Sequence, residues 1–211
     1  MARVLRWPGK LPDTNNTTKP KKKGFFGWLA RLFLPNNPTN ETDKGLSGEW
    51  KVATALERYL DDRWTVANNV KIPLATGKSQ IDHLLFGFQV IYCIETKSWN
   101  TAACNEKGEW FRFQGRMWIP QESPVEQNQR KVEQLSILLR KQGITTQIQN
   151  VIVFANPGKF DFGNASLPQN TKVFGLPGFI EYLNQLHRQE TTYTHRTGQS
   201  PDPERILSLI R

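Results

Sequence analysis

The stretch VIYCIETKSW, residues 90–99, decides the fold. Val90, Ile91, Tyr92, Cys93 and Ile94 have the composition of a buried β-strand. Glu95 and Lys97 then follow, two residues apart. Side chains alternate along a strand, so both share a face with Cys93. A core strand that sends a carboxylate and an ammonium out along one face is either making an ion pair at a sheet edge or building a site.

Working upstream, SQIDHLLF (79–86) reads as a second apolar strand, joined to the first through Gly87 as a hairpin. A turn at Gly87–Phe88 sets Leu85 opposite Val90 and Asp82 opposite Cys93. Asp82 and Glu95 are then diagonal neighbours on one face, roughly 7–8 Å apart at the backbone. Two carboxylates at that spacing can share a divalent cation whose oxygen ligands lie at about 2.1 Å for magnesium. Without a cation they repel.

Further upstream, GLSGEWKVATALERYL (45–60) carries Val52, Leu56, Tyr59 and Leu60 as an apolar helical stripe. Glu49 falls on that stripe, three residues before Val52. A buried acid there is costly unless it is paired or bound to a metal. Residues 64–74 suggest an extended segment that Pro73 pushes toward a sheet edge. Downstream, Trp110 to Ile119 reads as a hairpin around Gly115. SPVEQNQRKVEQLSILLRK (123–141) is a helix, with Ser123 as N-cap, Pro124 at the first helical position and Glu126 completing a capping box. Gln127 lies in its first turn at the flank of the apolar stripe, while Asn128 points more directly inward. QIQNVIVFAN (147–156) is a buried strand, and Phe179–Arg188 and Pro203–Ile210 are short helices. The order of elements predicts an α/β arrangement around a mixed sheet.

The chain has 211 residues, enough for one domain with appendages, and no apolar run long enough to span a bilayer. Its two cysteines, Cys93 and Cys104, suggest a reducing, cytoplasmic setting, and its three histidines give little support to imidazole catalysis or a His-rich metal site. His83 points away from Asp82 and reads as a packing or hydrogen-bonded residue. The net charge is +9, but residues 1–40 hold eight basic residues and one acid, leaving +2 for the rest. The basicity thus belongs to an N-terminal arm, residues 1–43, expected to be disordered apart from one short segment. That segment, GFFGWLARLFL (24–34), places Phe25, Trp28, Leu29, Leu32 and Phe33 on one helical stripe behind Lys21–Lys23. Docking on the chain's own domain, on a protein partner, or peripherally at a membrane surface all remain open for residues 21–34. In the folded part, Lys107, Arg112, Arg116, Arg130 and Lys131 could supply a local patch for nucleic-acid phosphates. The aromatic residues Trp110, Phe111, Phe113 and Trp118 could stack on bases, though packing is their commoner use.

Each charged residue also has an ordinary reading. Glu49 can serve the helix dipole, Asp82 can cap a turn or pair with Lys78, and Glu95 with Lys97 can be a surface ion pair worth roughly 0–1 kcal/mol. Their convergence on one face is what favours a site.

The blocks GLSGEWKVATAL, SQIDHLLF, VIYCIETKSWN, the pair Glu109–Trp110, and SPVEQNQRKVEQL occur in the order and spacing of the nuclease-related domain, NERD. The chain resembles that family over about residues 45–155, and the family resembles a branch of the PD-(D/E)xK nucleases. The resemblance implies a restriction-endonuclease-like core, a mixed β-sheet flanked by helices, in a domain over residues 44–211. It also implies metal-dependent hydrolysis of nucleic acid, most readily DNA, in bacterial defence or DNA processing. Asp82 and Glu95 match the metal-binding acids, Lys97 the lysine of E-x-K, Glu49 the acid of the first helix, and Gln127 the glutamine of the later helix. The implied cofactor is Mg²⁺ or Mn²⁺. Ile81 rather than proline precedes the aspartate, as is usual for this branch, and Lys131 stands where related RecB-like nucleases often place a tyrosine after the glutamine. The alternative is a nuclease-fold module without turnover that binds nucleic acid, or an interaction protein tethered to a membrane or partner.

Overall fold

The computed structural model describes residues 1–6, 41–74, 77–163, 167–193 and 201–210. Strands β2 (Thr65–Leu74), β3 (Gly77–Phe86) and β4 (Val90–Lys97) form an antiparallel meander. β8 (Gln147–Phe154) runs parallel to β4, and β10 (Thr171–Gly175) parallel to β8. β1 (Arg3–Arg6) closes the other edge, parallel to β2, giving the order β1-β2-β3-β4-β8-β10. A second mixed sheet has the order β7-β6-β5-β9, from β5 (Thr101–Cys104), β6 (Trp110–Gln114), β7 (Met117–Gln121) and β9 (Lys159–Asp161).

Helices cover both faces of the larger sheet, because its central strands are apolar on both sides. Against one face, α1 (Glu41–Tyr59) and α3 (Leu176–Tyr193) bring Val52, Leu56, Phe179 and Leu183 onto Leu85, Ile94, Val151 and Val153. Against the other, α2 (Pro124–Lys141) lays Val132, Leu135 and Leu139 on Leu84, Phe86, Ile91 and Cys93, and α4 (Pro203–Leu209) adds Ile206. The alternation along β4 therefore serves two cores, Ile91 and Cys93 on one side, Tyr92 and Ile94 on the other. Each such aliphatic side chain, fully buried, contributes about 1.5–3 kcal/mol. The smaller sheet is held by Trp110, whose ring stacks on Phe154 at 6.1 Å and 21°. These two mixed sheets with four helices, among the described residues, are the α/β architecture expected of a nuclease-like core.

Several local expectations change. The β3–β4 turn lies one residue further along the chain than expected, at Phe88–Gln89: Gly87 N–H donates to Val90 C=O, and the register pairs Leu85 with Tyr92, Leu84 with Cys93 and His83 with Ile94. Leu85 is therefore not opposite Val90, nor Asp82 opposite Cys93. Continued by one step, the register puts Asp82 across from Glu95 rather than diagonal to it. The shared face survives, because both strands keep their alternation.

Residues 3–6, expected within a disordered arm, form β1 instead. The backbone reason is local: Ala2 N–H donates to Glu57 C=O, Arg3 N–H to Trp64 C=O, and the small Ala2 side chain enters the core. The first helix begins at Glu41, before Lys44. Pro73 sits at a part of β2 that β1 does not cover, so it meets only β3. The segment 24–34 and its docking partners lie outside the described residues.

Candidate active site

The β3–β4 ladder ends at His83 and Ile94, and the strands part beyond it. At that point the backbone N–H of Thr96 donates to Asp82 Oδ2 at 2.8 Å. The carboxylate takes the place that a main-chain acceptor would otherwise fill. Asp82 is thus fixed by the fault in the sheet.

Glu95, one residue before Thr96, is 4% exposed. Lys97 Nζ donates to its Oε1 at 2.7 Å and Lys131 Nζ to its Oε2 at 2.5 Å. Lys97 also donates to Gln127 Oε1 at 2.6 Å, which ties the strand to the first turn of α2. That turn is set by Ser123, whose Oγ accepts from Glu126 N–H, as the capping pattern predicts. One face of α2 therefore presents Gln127, Asn128 and Lys131 to the sheet.

Glu49 arrives from α1. Gly48 allows that approach: a Cβ there would come within 2.3 Å of Ser98 Oγ and 3.3 Å of Thr96 Cγ2. The Glu49 carboxylate is hydrogen-bonded by the Asn69 side chain, and Asn69 Oδ1 accepts from Gln80 Nε2 at 2.8 Å. Asn69 has φ +53°, in the left-handed region that asparagine tolerates better than most residues. It lies where the β2–β3 register skips from Asn68–His83 to Val70–Ile81, beside Asp82.

The electrostatics follow from this crowding. Burial raises the Asp82 carboxyl to about 8, reinforced by the Glu95 carboxylate and opposed by Lys131 and the Thr96 N–H. Burial raises Glu49 too, against its bond to Asn69. For Lys131, burial alone would depress the ammonium; the carboxylates of Glu95 and Asp82 outweigh it and the net shift is upward.

A neutral polar layer supports the site from beneath. His83 is fully buried, with Nδ1 2.6 Å from Asn68 Oδ1 and Nε2 3.0 Å from Thr96 Oγ1, and burial lowers its imidazole to about 3. It holds Thr96 from the face opposite Asp82, in a packing role as expected. Asn128 donates to Cys93 C=O at 2.9 Å and to Asn150 Oδ1 at 2.8 Å, pinning α2 across β4 and β8.

Among the described residues no group of three or more His, Cys, Asp or Glu is gathered closely enough to hold a metal ion. Both oxygens of Glu95 are turned to ammonium groups and Glu49 to Asn69. The donor chemistry nevertheless fits a hard divalent cation. Glu95, buried, and Asp82, half-buried, are mutually repelling oxygen donors, and Mg²⁺ characteristically uses one or two carboxylates and keeps several waters.

The structure thus brings Glu49, Asp82, Glu95, Lys97 and Gln127 into one region. It separates the residues assigned to nucleic acid. Arg116 is exposed in the β6–β7 turn, Arg112 is half-buried, and Arg130 is exposed but paired with Glu122. Lys131 does not face solvent at all: it is 7% exposed and bonded to Glu95, so its place in an outer basic patch is corrected to one inside the site. The sequence held a signal for this, since Lys131 lies four residues after Gln127 and three after Asn128, on the same helical face. Asn69 was also missed. Its signal is the pair Asn68–Asn69 inside a strand, where asparagine is unfavourable without a local reason. Of the aromatic residues, Trp110 is buried, whereas Phe113 and Trp118 are exposed and meet edge to face at 5.3 Å.

Comparison with curated proteins and with solved structures gave no match. The family profile described as the nuclease-related domain, NERD, matches residues 44–155, just over half the chain and the span that carries every member of this cluster. The chain belongs to the nuclease-related domain family.

Proposed function

We propose that the protein is a nuclease that hydrolyses phosphodiester bonds, with DNA as substrate and Mg²⁺ or Mn²⁺ as cofactor. The observation that carries this reading is the Asp82–Glu95 carboxylate pair at a parted strand end, Glu95 buried and Asp82 half-buried, with Lys97 fixed beside it. Asp82 and Glu95 would hold the cation, and Glu49 would reach it directly or through its water shell. When bound, such a cation neutralises phosphate charge and lowers the pKa of a coordinated water.

The chain's own groups do the rest. Lys97, held between Glu95 Oε1 and Gln127 Oε1, keeps a donor for the attacking water or the phosphate oxygen. Gln127 would give that ammonium a second anchor beside Glu95. His83, buried and neutral, orients Thr96 and through its N–H the Asp82 carboxylate. None of these groups is arranged to read base edges, so sequence preference is expected to be weak. Arg112 and Arg116 on the β6–β7 hairpin are the basic residues proposed to meet phosphates. The two cysteines are unpaired and buried, which suits a cytoplasmic setting. No helix among the described residues is long and apolar enough to cross a membrane.

The test is cleavage of circular and linear DNA, single- and double-stranded, with RNA in parallel, in Mg²⁺, Mn²⁺ or EDTA. Metal-dependent, EDTA-sensitive cleavage that copurifies with the protein supports the proposal. Absence of cleavage on every substrate, by folded protein at saturating metal, overturns it.

A further inference from the structure

Lys131 is the member of the cluster whose role the nuclease reading leaves open. It comes from α2, whereas Glu95 and Lys97 come from β4. It is nearly closed off from solvent, and Nζ lies 2.5 Å from Glu95 Oε2. Lysine is almost never buried unless paired, and here its partner is the buried Glu95 carboxylate. Its burial removes it from any direct part in phosphate binding. Lys97 is different: it is less buried and shares its ammonium between Glu95 and Gln127.

The two lysines thus occupy both oxygens of Glu95. Three carboxylates, Glu49, Asp82 and Glu95, converge here with two ammoniums, Lys97 and Lys131. A divalent cation can reach Glu95 from the side of the more open Lys97. It cannot share the Oε2 side with Lys131 without bringing two cations together in a poorly solvated space.

We propose that the Lys131 ammonium fills a cation position of this site, so that the site takes one divalent ion fewer than its carboxylates could otherwise hold. This rests on the metal-dependent reading above. Lys131 is a positioning residue: it acts through Glu95 and does not touch the reacting atoms.

The test counts metal ions in the full chain and does not depend on turnover. Mn²⁺ binding is measured by titration calorimetry and by the amplitude of free-ion electron paramagnetic resonance. The wild type is compared with Lys131→Met, Lys131→Gln and Lys131→Arg. Met removes the charge at similar volume, Gln keeps a donor for Glu95, and Arg keeps the charge. Met and Gln are expected to bind one Mn²⁺ more per chain than wild type, held at least about tenfold more tightly than any weak binding seen there. Arg is expected to keep the wild-type count. An unchanged count and affinity in folded Met and Gln variants overturns the proposal, and so does a gain in the Arg variant. If both neutral variants unfold without metal, recovery of their structure by Mn²⁺, at concentrations that leave the wild-type melting temperature unmoved, supports the proposal. Failure of Mn²⁺ to restore either one overturns it. The wild-type count itself tests the metal-dependent reading, and the difference between variants tests Lys131. A wild type that binds none, with variants that bind one, refutes the first and supports the second.

Discussion

Replacing Asp82 with asparagine keeps the shape of the side chain and removes only its ability to ionise, which turns the raised carboxyl into a measurable effect of pH on stability. In the folded protein the group sits at about 8, against an ordinary 3.8. An acid raised on folding contributes stability that is fully present below 3.8 and is lost as pH rises through the folded value. His83 works in the opposite sense. Its imidazole is lowered from 6.5 to about 3 by burial, so its contribution is present above 6.5 and is lost as pH falls.

Between pH 3.8 and 6.5 the two slopes oppose each other, one proton against one, and nearly cancel. Above 6.5 the histidine no longer titrates and the Asp82 slope stands exposed. At about 1.4 kcal/mol per pH unit, wild-type protein in EDTA should lose on the order of 2 kcal/mol between pH 6.5 and 8. That is an upper figure, since Asp82 retains some solvent contact. The Asp82→Asn variant should be nearly flat across the window and more stable than wild type at pH 8. Urea unfolding at half-unit pH steps, extrapolated to water, gives both curves. A variant that keeps the wild-type slope, or a wild type already flat above pH 6.5, would refute the argument that the Asp82–Glu95 crowding costs stability. Saturating Mg²⁺ should reverse the order at pH 8, because only wild type gains from binding it.

Lys97→Met should lower single-turnover cleavage by about 100-fold or more, the loss typical of one preorganised donor. Mn²⁺ affinity in the same variant should be unchanged or tighter, since an ammonium leaves Glu95 Oε1; lost binding with a normal rate at saturating metal would contradict its role. Asn128→Ala leaves Cys93 C=O and Asn150 Oδ1 without their donor, at a cost of about 1–3 kcal/mol per abandoned group, measured by urea unfolding. Deleting residues 1–6 removes β1 and the buried Ala2, so the melting temperature should fall while metal-dependent cleavage persists; an unchanged melt would mean that β1 contributes nothing to the fold.

The reading from sequence succeeded where one periodicity governed a long element. Ile91, Cys93 and Glu95 had to share a face of β4, and Val52 and Leu56 a face of α1, whatever the rest of the chain did. It slipped where a single hydrogen bond decides, as at the Gly87–Val90 closure that sets the hairpin register. Three-, four- and five-residue strands such as β9, β1 and β10 carry too little pattern to be seen alone, and their pairing comes from strands further away in sequence. Lys131 illustrates a different limit. Its helical face was legible, but a lysine is assigned outward by default, and only the position of Glu95 turns it inward.

The cluster is also unlike an ion-pair network built for stability. A structural network settles with its charges matched, because an uncompensated buried charge is costly. Here three carboxylates, Glu49, Asp82 and Glu95, meet two ammoniums, and the surplus falls on Asp82, whose carboxyl is driven toward its protonated form. Replacing Asp82 by an apolar residue would relieve that surplus, yet the fold instead spends a main-chain donor, Thr96 N–H, on holding the carboxylate in place. It adds a left-handed asparagine beside it and a glycine in α1 that brings Glu49 close. Each of these local irregularities acts to keep the acids near one another against their repulsion. An arrangement of that kind is consistent with a site completed by a cation from outside the chain, whose arrival would draw the proton off Asp82 and restore its charge.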